Sequence, residues 1–180
     1  MRIVQAAWGV FHHFDLAREL ERRGHLQRIY STFPWARLKR EGLAHSKVRT
    51  FPWIQMPYFM AGRFMKWASD PLHYANTILF DEWLNRQIPN TGVDALIAMS
   101  SAGLKTGKRL QRQGAVFLCD RGSTHQRYQE RVVHEELRRW GVDPQVSKAR
   151  DAAWEREVMI YDAADAITVP SSFAARSFIE

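Results

Sequence analysis

The sequence predicts a doubly wound, Rossmann-like α/β fold, with a parallel sheet of about six strands in a three-layer α/β/α arrangement. Two observations lead there. Short apolar runs recur along the chain, at Arg2–Trp8, Arg28–Phe33, Lys47–Phe51, Ala95–Met99, Ala115–Cys119 and Ala166–Val169, and helical segments separate them; this alternation calls for parallel strands joined by crossovers. Most of the runs also stop abruptly at glycine, proline or serine, the residues that punctuate strands. Right-handed crossovers then bring the loops after the first, fourth and fifth strands to one rim, where open parallel sheets bind ligands.

Each element has its own local reason. After the first strand comes the loop Gly9-Val10-Phe11-His12-His13, then a helix from Phe14 to Arg23 with Leu16, Ala17 and Leu20 on one face and Gly24 placed to cap its end. The second strand closes at Pro34, a short basic helix covers Trp35 to Glu41, and Pro52 ends the third strand. Residues 53–67 are the most aromatic stretch, with Trp53, Ile54, Met56, Tyr58, Phe59, Met60, Phe64, Met65 and Trp67 around Arg63 and Lys66. Packing against the sheet is the ordinary expectation for such residues; a surface that enters a lipid interface or holds an apolar substrate is the functional one.

A helix is expected from Pro71, suited to a first turn, to Gln87, with Leu72, Ala75, Leu79 and Trp83 in register. Pro89 to Gly92 is a loop, and Ser100 to Gly103 leads from the fourth strand into a basic helix that runs to Gln113. The fifth strand, without polar breaks, reads as covered on both faces. Beyond it Ser123 and Gln126 form a capping-box pattern that would start a helix near Thr124 and carry it to Trp140-Gly141. A helix over Ser147 to Asp162 places Ala149, Ala153, Ile160 and Ala164 near one stripe, and Ser171 or Ser172 caps a last helix.

With 180 residues the chain is expected to form one domain, and its 46% hydrophobic and 25% charged residues are ordinary for a globular protein. The single cysteine, Cys119, reads as a small core residue and excludes an internal disulfide, which fits a reducing, cytoplasmic setting. We expect no secretory leader, because charge interrupts the first apolar run too soon, and no spanning helix, because no charge-free stretch is long enough. The net charge of +7 is concentrated in residues 1–50 and 101–150, whereas 151–180 is acidic. Such basic surface either faces water or favours anionic partners, among them phosphate groups and acidic lipid headgroups.

The rim carries the chemistry. Asp120, Arg121, Gly122, Ser123 and His125 follow the fifth strand, Ser100 and Ser101 follow the fourth, and Gly9, His12 and His13 follow the first. The first loop lacks the G-x-G-x-x-G of a dinucleotide site, no P-loop is present, and no G-x-S-x-G elbow accompanies the serines. With one cysteine and no H-E-x-x-H or spaced histidine partner, no metal is expected. Near a helix start, His125 should be neutral. Asp120 and Arg121 either act on a ligand or only pair with each other.

Three stretches resemble the N-terminal half of a GT-B-fold glycosyltransferase, in particular the retaining enzymes of family 4 that use nucleotide-sugar donors. They are the first strand with its glycine loop and the helix end LARELERRGH, the strand and turn CDRGSTH, and the run EREVMIYDAADAITVPSSF. The resemblance implies that Gly9, His12 and His13 face a cleft between two domains, near the acceptor and the donor phosphates. It implies that Ser100, Ser101, Arg121, Gly122, Ser123 and, after the sixth strand, Ser171 line that cleft, and that His125 and Asp120 are the catalytic candidates. It also implies a C-terminal domain that holds most of the nucleotide-sugar, so the 180 residues would be the acceptor-side half and inactive alone.

The expected partners are therefore a nucleotide-sugar, a glycan or lipid-linked acceptor and the missing domain in cis, with no separate cofactor and no nucleic acid. A peripheral contact with the anionic inner membrane face is added by the basic N-terminal third and the aromatic stretch. In such an enzyme positive charge and helix amides would stabilise the departing phosphate while an acceptor hydroxyl attacks the anomeric carbon. Two other readings stay open: a stand-alone Rossmann-like module whose basic surface docks on membrane or nucleic acid, and a dehydrogenase-type cofactor domain, which Phe11 and His12 make awkward.

Overall fold

A computed structural model describes residues 1–53, 55–64, 66–144 and 147–179. Its six strands are β1 (Ile3–Ala7), β2 (Leu26–Ser31), β3 (Val48–Thr50), β4 (Ala95–Met99), β5 (Val116–Asp120) and β6 (Ala166–Thr168). They form one sheet in the order β3-β2-β1-β4-β5-β6, and every neighbouring pair is parallel. This is a doubly wound, Rossmann-like α/β fold. Its order reverses between β1 and β4, so the crevice that the topology opens lies beside the loops that follow those two strands.

The helices are α1 (His13–Arg22), α2 (Trp35–Leu38), α3 (Gln55–Phe64), α4 (Lys66–Gln87), α5 (Leu104–Gln111), α6 (Gln126–Arg139), α7 (Lys148–Ala163) and α8 (Ser172–Arg176). They divide between the two faces of the sheet. On one face Phe14 and Ala17 of α1 and Leu38 of α2 pack with Ala7, Ile29 and Val48. On the other, Val4, Ala6, Leu96, Ala98, Phe117 and Cys119 pack against Phe80 and Leu84 of α4, Leu110 of α5 and Ile160 and Tyr161 of α7. Alternate side chains of a strand point to opposite faces, and β1 feeds both cores in this way. Gly24 ends α1 with a φ of +73°, which only glycine adopts without strain, and His25 N–H closes the turn on the Leu20 carbonyl at 2.8 Å.

Several local expectations are corrected. The helix after β5 starts at Gln126, not near Thr124, because its cap is His125, whose Nδ1 accepts from the Arg127 amide at 3.2 Å; Ser123 instead donates to Gln129 Oε1 at 3.0 Å. The helix expected from Pro71 begins at Lys66 and contains the proline. Its buried face is Asn76, Thr77, Phe80, Asp81 and Leu84, while Leu79 of the expected stripe is exposed. The buried register is the one that turns Asp81 towards the start of α5. Asp81, 1% exposed, accepts from the amides of Lys105 and Thr106 at 2.8 and 3.2 Å and so caps α5 from outside that helix.

Leu16 is exposed on α1, where Phe14 takes the inner place. The fifth strand is covered on one face only: Phe117 and Cys119 are buried, Val116 is exposed and Leu118 half-buried. Within the aromatic stretch, Trp53, Phe59, Met60 and Phe64 are more than half exposed, so packing does not account for them. Ile54 and Met65 lie outside the described residues, as do the side chains of Met56 and Trp67. Among the described residues no helix is long and apolar enough to cross a membrane.

Gly107 sits inside α5 for a packing reason. A Cβ there would stand 2.4 to 2.7 Å from the ring of Phe117, which is wholly buried in β5. Alanine normally gains about 1 kcal/mol over glycine in a helix, but here overpacking of the ring works against it and costs about 1–3 kcal/mol. We therefore expect Gly107→Ala to lower the unfolding free energy in a urea titration; an unchanged or raised midpoint would show that the α5–β5 contact is looser than this.

Candidate functional site

The loops after β1, β4 and β5 meet at the carboxyl ends of the strands. The Ser100 amide donates to the Asp120 carbonyl at 2.9 Å, and Arg121 Nη1 reaches Ser100 Oγ at 3.4 Å, which ties the β4 and β5 loops. His12 and His13 close the third side. His12 Nε2 lies 2.5 Å and His13 Nε2 2.9 Å from the same oxygen of Asp120, Oδ2, while Oδ1 accepts from Thr168 Oγ1 of β6 at 2.6 Å. One carboxylate thus joins β1, β5 and β6.

The two adjacent histidines have different environments. His13, the first residue of α1, is fully buried and neither of its ring nitrogens has a hydrogen-bond partner among the described residues; His12, at the cap position, has a side chain 49% exposed. The tautomer with a proton on Nε2 donates to Asp120 and leaves the lone pair of His12 on Nδ1, which has no hydrogen-bond partner among the described residues. Burial alone would raise the Asp120 pKa, but contacts with His13, Thr168 and His12 outweigh it and hold the carboxyl below the usual range. The stability this contributes is present above the unfolded carboxyl value and is lost as pH falls towards the folded one.

His12, His13 and Asp120 have donor atoms within 4.8 Å of one another, a possible metal set that sequence spacing did not reveal. Donors about 2.0–2.1 Å from a tetrahedral ion stand roughly 3.3 Å apart. The 2.5 Å from His12 Nε2 to Oδ2 is a hydrogen-bond distance, whereas His13 Nε2, 2.9 Å from the same oxygen, meets it as a charge contact without hydrogen-bond geometry.

Asp120 and Arg121 do not pair with each other. Arg121 turns inward and is 9% exposed; it pairs with Glu157 of α7 and donates to the Thr124 carbonyl at 3.0 Å and to Gln126 and Gln129 at 2.9 and 3.0 Å. Glu157 also accepts from Ser101 Oγ at 3.1 Å and from Tyr161 Oη at 2.6 Å. Burial, reinforced by that carboxylate, keeps the Tyr161 phenol protonated. Ser101 holds a φ of +73° and Phe11 of +43°, the only non-glycine residues with positive φ among those described. Both stand on this rim, where strained backbone tends to collect.

The remaining candidates are placed as follows. Gly9 is buried, donates to Thr32 Oγ1 and accepts from Ser31 Oγ, so it anchors the first loop. Gly122 is exposed beneath the ring of Phe11. Ser171 caps α8 by accepting from the Ala174 amide at 3.2 Å. His125 packs against Tyr161 and Phe178, away from the His12–Asp120 pair; burial first, then Arg127 and Arg121, lowers its pKa and favours the neutral ring. Cys119 is buried, and its thiol is pushed up to about 12 chiefly by burial.

Sequence reasoning missed Glu157, Thr168 and Phe11. For Glu157 the signal was present, since it falls on the buried stripe of α7 with Ala153, Ile160 and Tyr161, where a charge needs a partner. Nothing local marked Thr168.

No family model and no curated protein matches the sequence. Among solved structures, the chain is similar to a UDP-glucosyltransferase from Polygonum tinctorium capable of glucosylating indoxyl, in complex with 3,4-dichloroaniline, at 12% identity and a TM-score of 0.45. The similarity covers 94% of this chain and 46% of that one, so the chain spans about half the length of that structure.

Removing one partner of the Arg121–Glu157 pair strands a buried charge. We expect Arg121→Met or Glu157→Leu alone to lose about 3–5 kcal/mol in urea unfolding, and the double variant to lose less than the sum. Additive losses would show that the two side chains are not coupled.

Proposed function

We propose that this chain is the acceptor-side half of a glycosyltransferase that uses a nucleotide-sugar donor, with His12 as its general base. One observation carries the reading. The three stretches whose sequence resembles such enzymes are far apart in the chain, and Asp120 gathers them: His12 and His13 come from the first, Asp120 itself from the second, Thr168 from the third. A half-exposed imidazole held by a carboxylate is suited to take a proton at its free nitrogen.

In the proposed step Nδ1 of His12 takes the proton of an acceptor hydroxyl while Asp120 stabilises the imidazolium through Nε2–H. The hydroxyl oxygen bonds to the anomeric carbon, the bond from that carbon to the phosphate oxygen breaks, and its electron pair leaves with the nucleoside diphosphate. A single displacement of this kind inverts the anomeric centre, whereas the family 4 resemblance implies retention. Product configuration distinguishes the two. His13 and Thr168 act as positioning residues on Asp120, and the donor belongs to a second domain in cis.

In the full-length gene product, we expect His12→Ala to lower kcat/KM for sugar transfer by about 10²–10⁴-fold, and the 180-residue chain alone to transfer none. An unchanged rate in the variant overturns the assignment of His12. Transfer by the isolated chain overturns the division between halves.

A second reading, peripheral membrane attachment, is favoured by the exposed Trp53, Phe59, Met60 and Phe64. Phe59 lines an apolar hollow with Phe33 and Pro52 that Arg37 borders, and Arg63 lies over Phe64. Apolar rings flanked by guanidinium groups suit the interface of an anionic bilayer. The chain should co-sediment with phosphatidylglycerol vesicles at low salt and lose most of that binding in Trp53→Ser/Phe64→Ser; equal binding by the variant removes this reading.

A further inference from the structure

We propose a second binding site, on α6 and α8, for a phosphate ester that carries a planar or apolar group. Two adjoining hollows, of about 440 and 190 Å³, share Tyr128 and Ser177. Arg127 and Arg131 border the larger and Arg176 the smaller, and no carboxylate lines either. Many arginines elsewhere are paired, as Arg22 and Arg23 are with Glu19 or Arg156 with Asp81. These three have no acidic partner among the described residues, and Arg131 only lies over the Tyr128 ring at 5.3 Å. All three are exposed.

Three guanidinium groups around two adjoining hollows, with no acid in their lining, select a multiply charged anion, and the planar fork of arginine matches phosphate oxygens. The rings specify the rest of the ligand. Tyr128 meets Phe173 edge-on at 6.0 Å between centroids, and Phe178 meets His125 at 5.0 Å, so the concavity is aromatic as well as cationic. Because burial and Arg127 disfavour the His125 imidazolium, that ring serves as a neutral wall. Neither His12 nor Asp120 lines these hollows, so a phosphate bound here is separate from that pair.

This inference rests on the proposed function only in expecting a phosphorylated compound, and it is tested by binding, which transfer does not enter. Calorimetric titrations of the 180-residue chain would use UDP as a soluble nucleotide, short-chain phosphatidate below its micelle concentration as a lipid source, and inorganic pyrophosphate. We expect at least one ester to bind more tightly than pyrophosphate, and the better of the two identifies the source. Arg127→Ala/Arg131→Ala should weaken that binding at least tenfold and Arg176→Ala measurably, while Arg112→Ala, on an exposed arginine beyond α5, leaves it unchanged. No ester binding at millimolar concentration, equal binding by the double variant, or pyrophosphate binding as tightly as the esters overturns the site. Failure here alongside His12-dependent transfer leaves the proposed function standing; the reverse result removes that function and keeps the phosphate site.

Discussion

The buried pair between Arg121 and Glu157 is the constraint on which the rim depends. Its five acceptors come from the β4 loop, the β5–α6 turn, α6 and α7, so a single guanidinium fixes four parts of the chain relative to one another. A charge in this position is expensive to desolvate and stays only when all its protons are used. The consequence reaches Asp120. With the neighbouring residue drawn inward, the Asp120 side chain is released to the opposite side of the strand, where the histidines of the β1 loop and Thr168 meet it.

A second buried carboxylate does the same for the helical layer. Asp81 caps α5 from α4 and pairs with Arg156 of α7 at 2.6 Å, so three helices on one face are joined by a polar contact and not only by apolar packing. The rim therefore rests on a layer held from two points. Preorganisation of this kind keeps the His12 imidazole on the Asp120 carboxylate. The positive φ values of Phe11 and Ser101 belong to the same picture: local strain is tolerated where the surroundings fix the backbone.

Much of the fold was legible in the sequence because strand existence depends on local composition. Ala95–Met99 appears with the expected bounds, and the other five strands fall within a few residues of theirs. Boundaries moved where a tertiary contact competed with a local signal. The Ser123–Gln126 pattern is a sound cap by local rules, yet Arg121 takes Gln126 and His125 takes the cap. The α4 stripe is displaced because Asp81 must reach the start of α5. The aromatic stretch could be read either as core or as surface, since composition does not state which side of a helix has a neighbour.

The sequence by itself determined that six strands run parallel and that the residues after the first, fourth and fifth share an edge, because right-handed crossovers permit few other arrangements. It also supplied the acid, the imidazoles and the hydroxyls found there. Which of two adjacent histidines is buried, which carboxylate takes Arg121 and which oxygen holds His12 were decided only by the tertiary structure. Those choices depend on partners 36 to 108 residues away in the chain, and no local pattern encodes a contact at that separation.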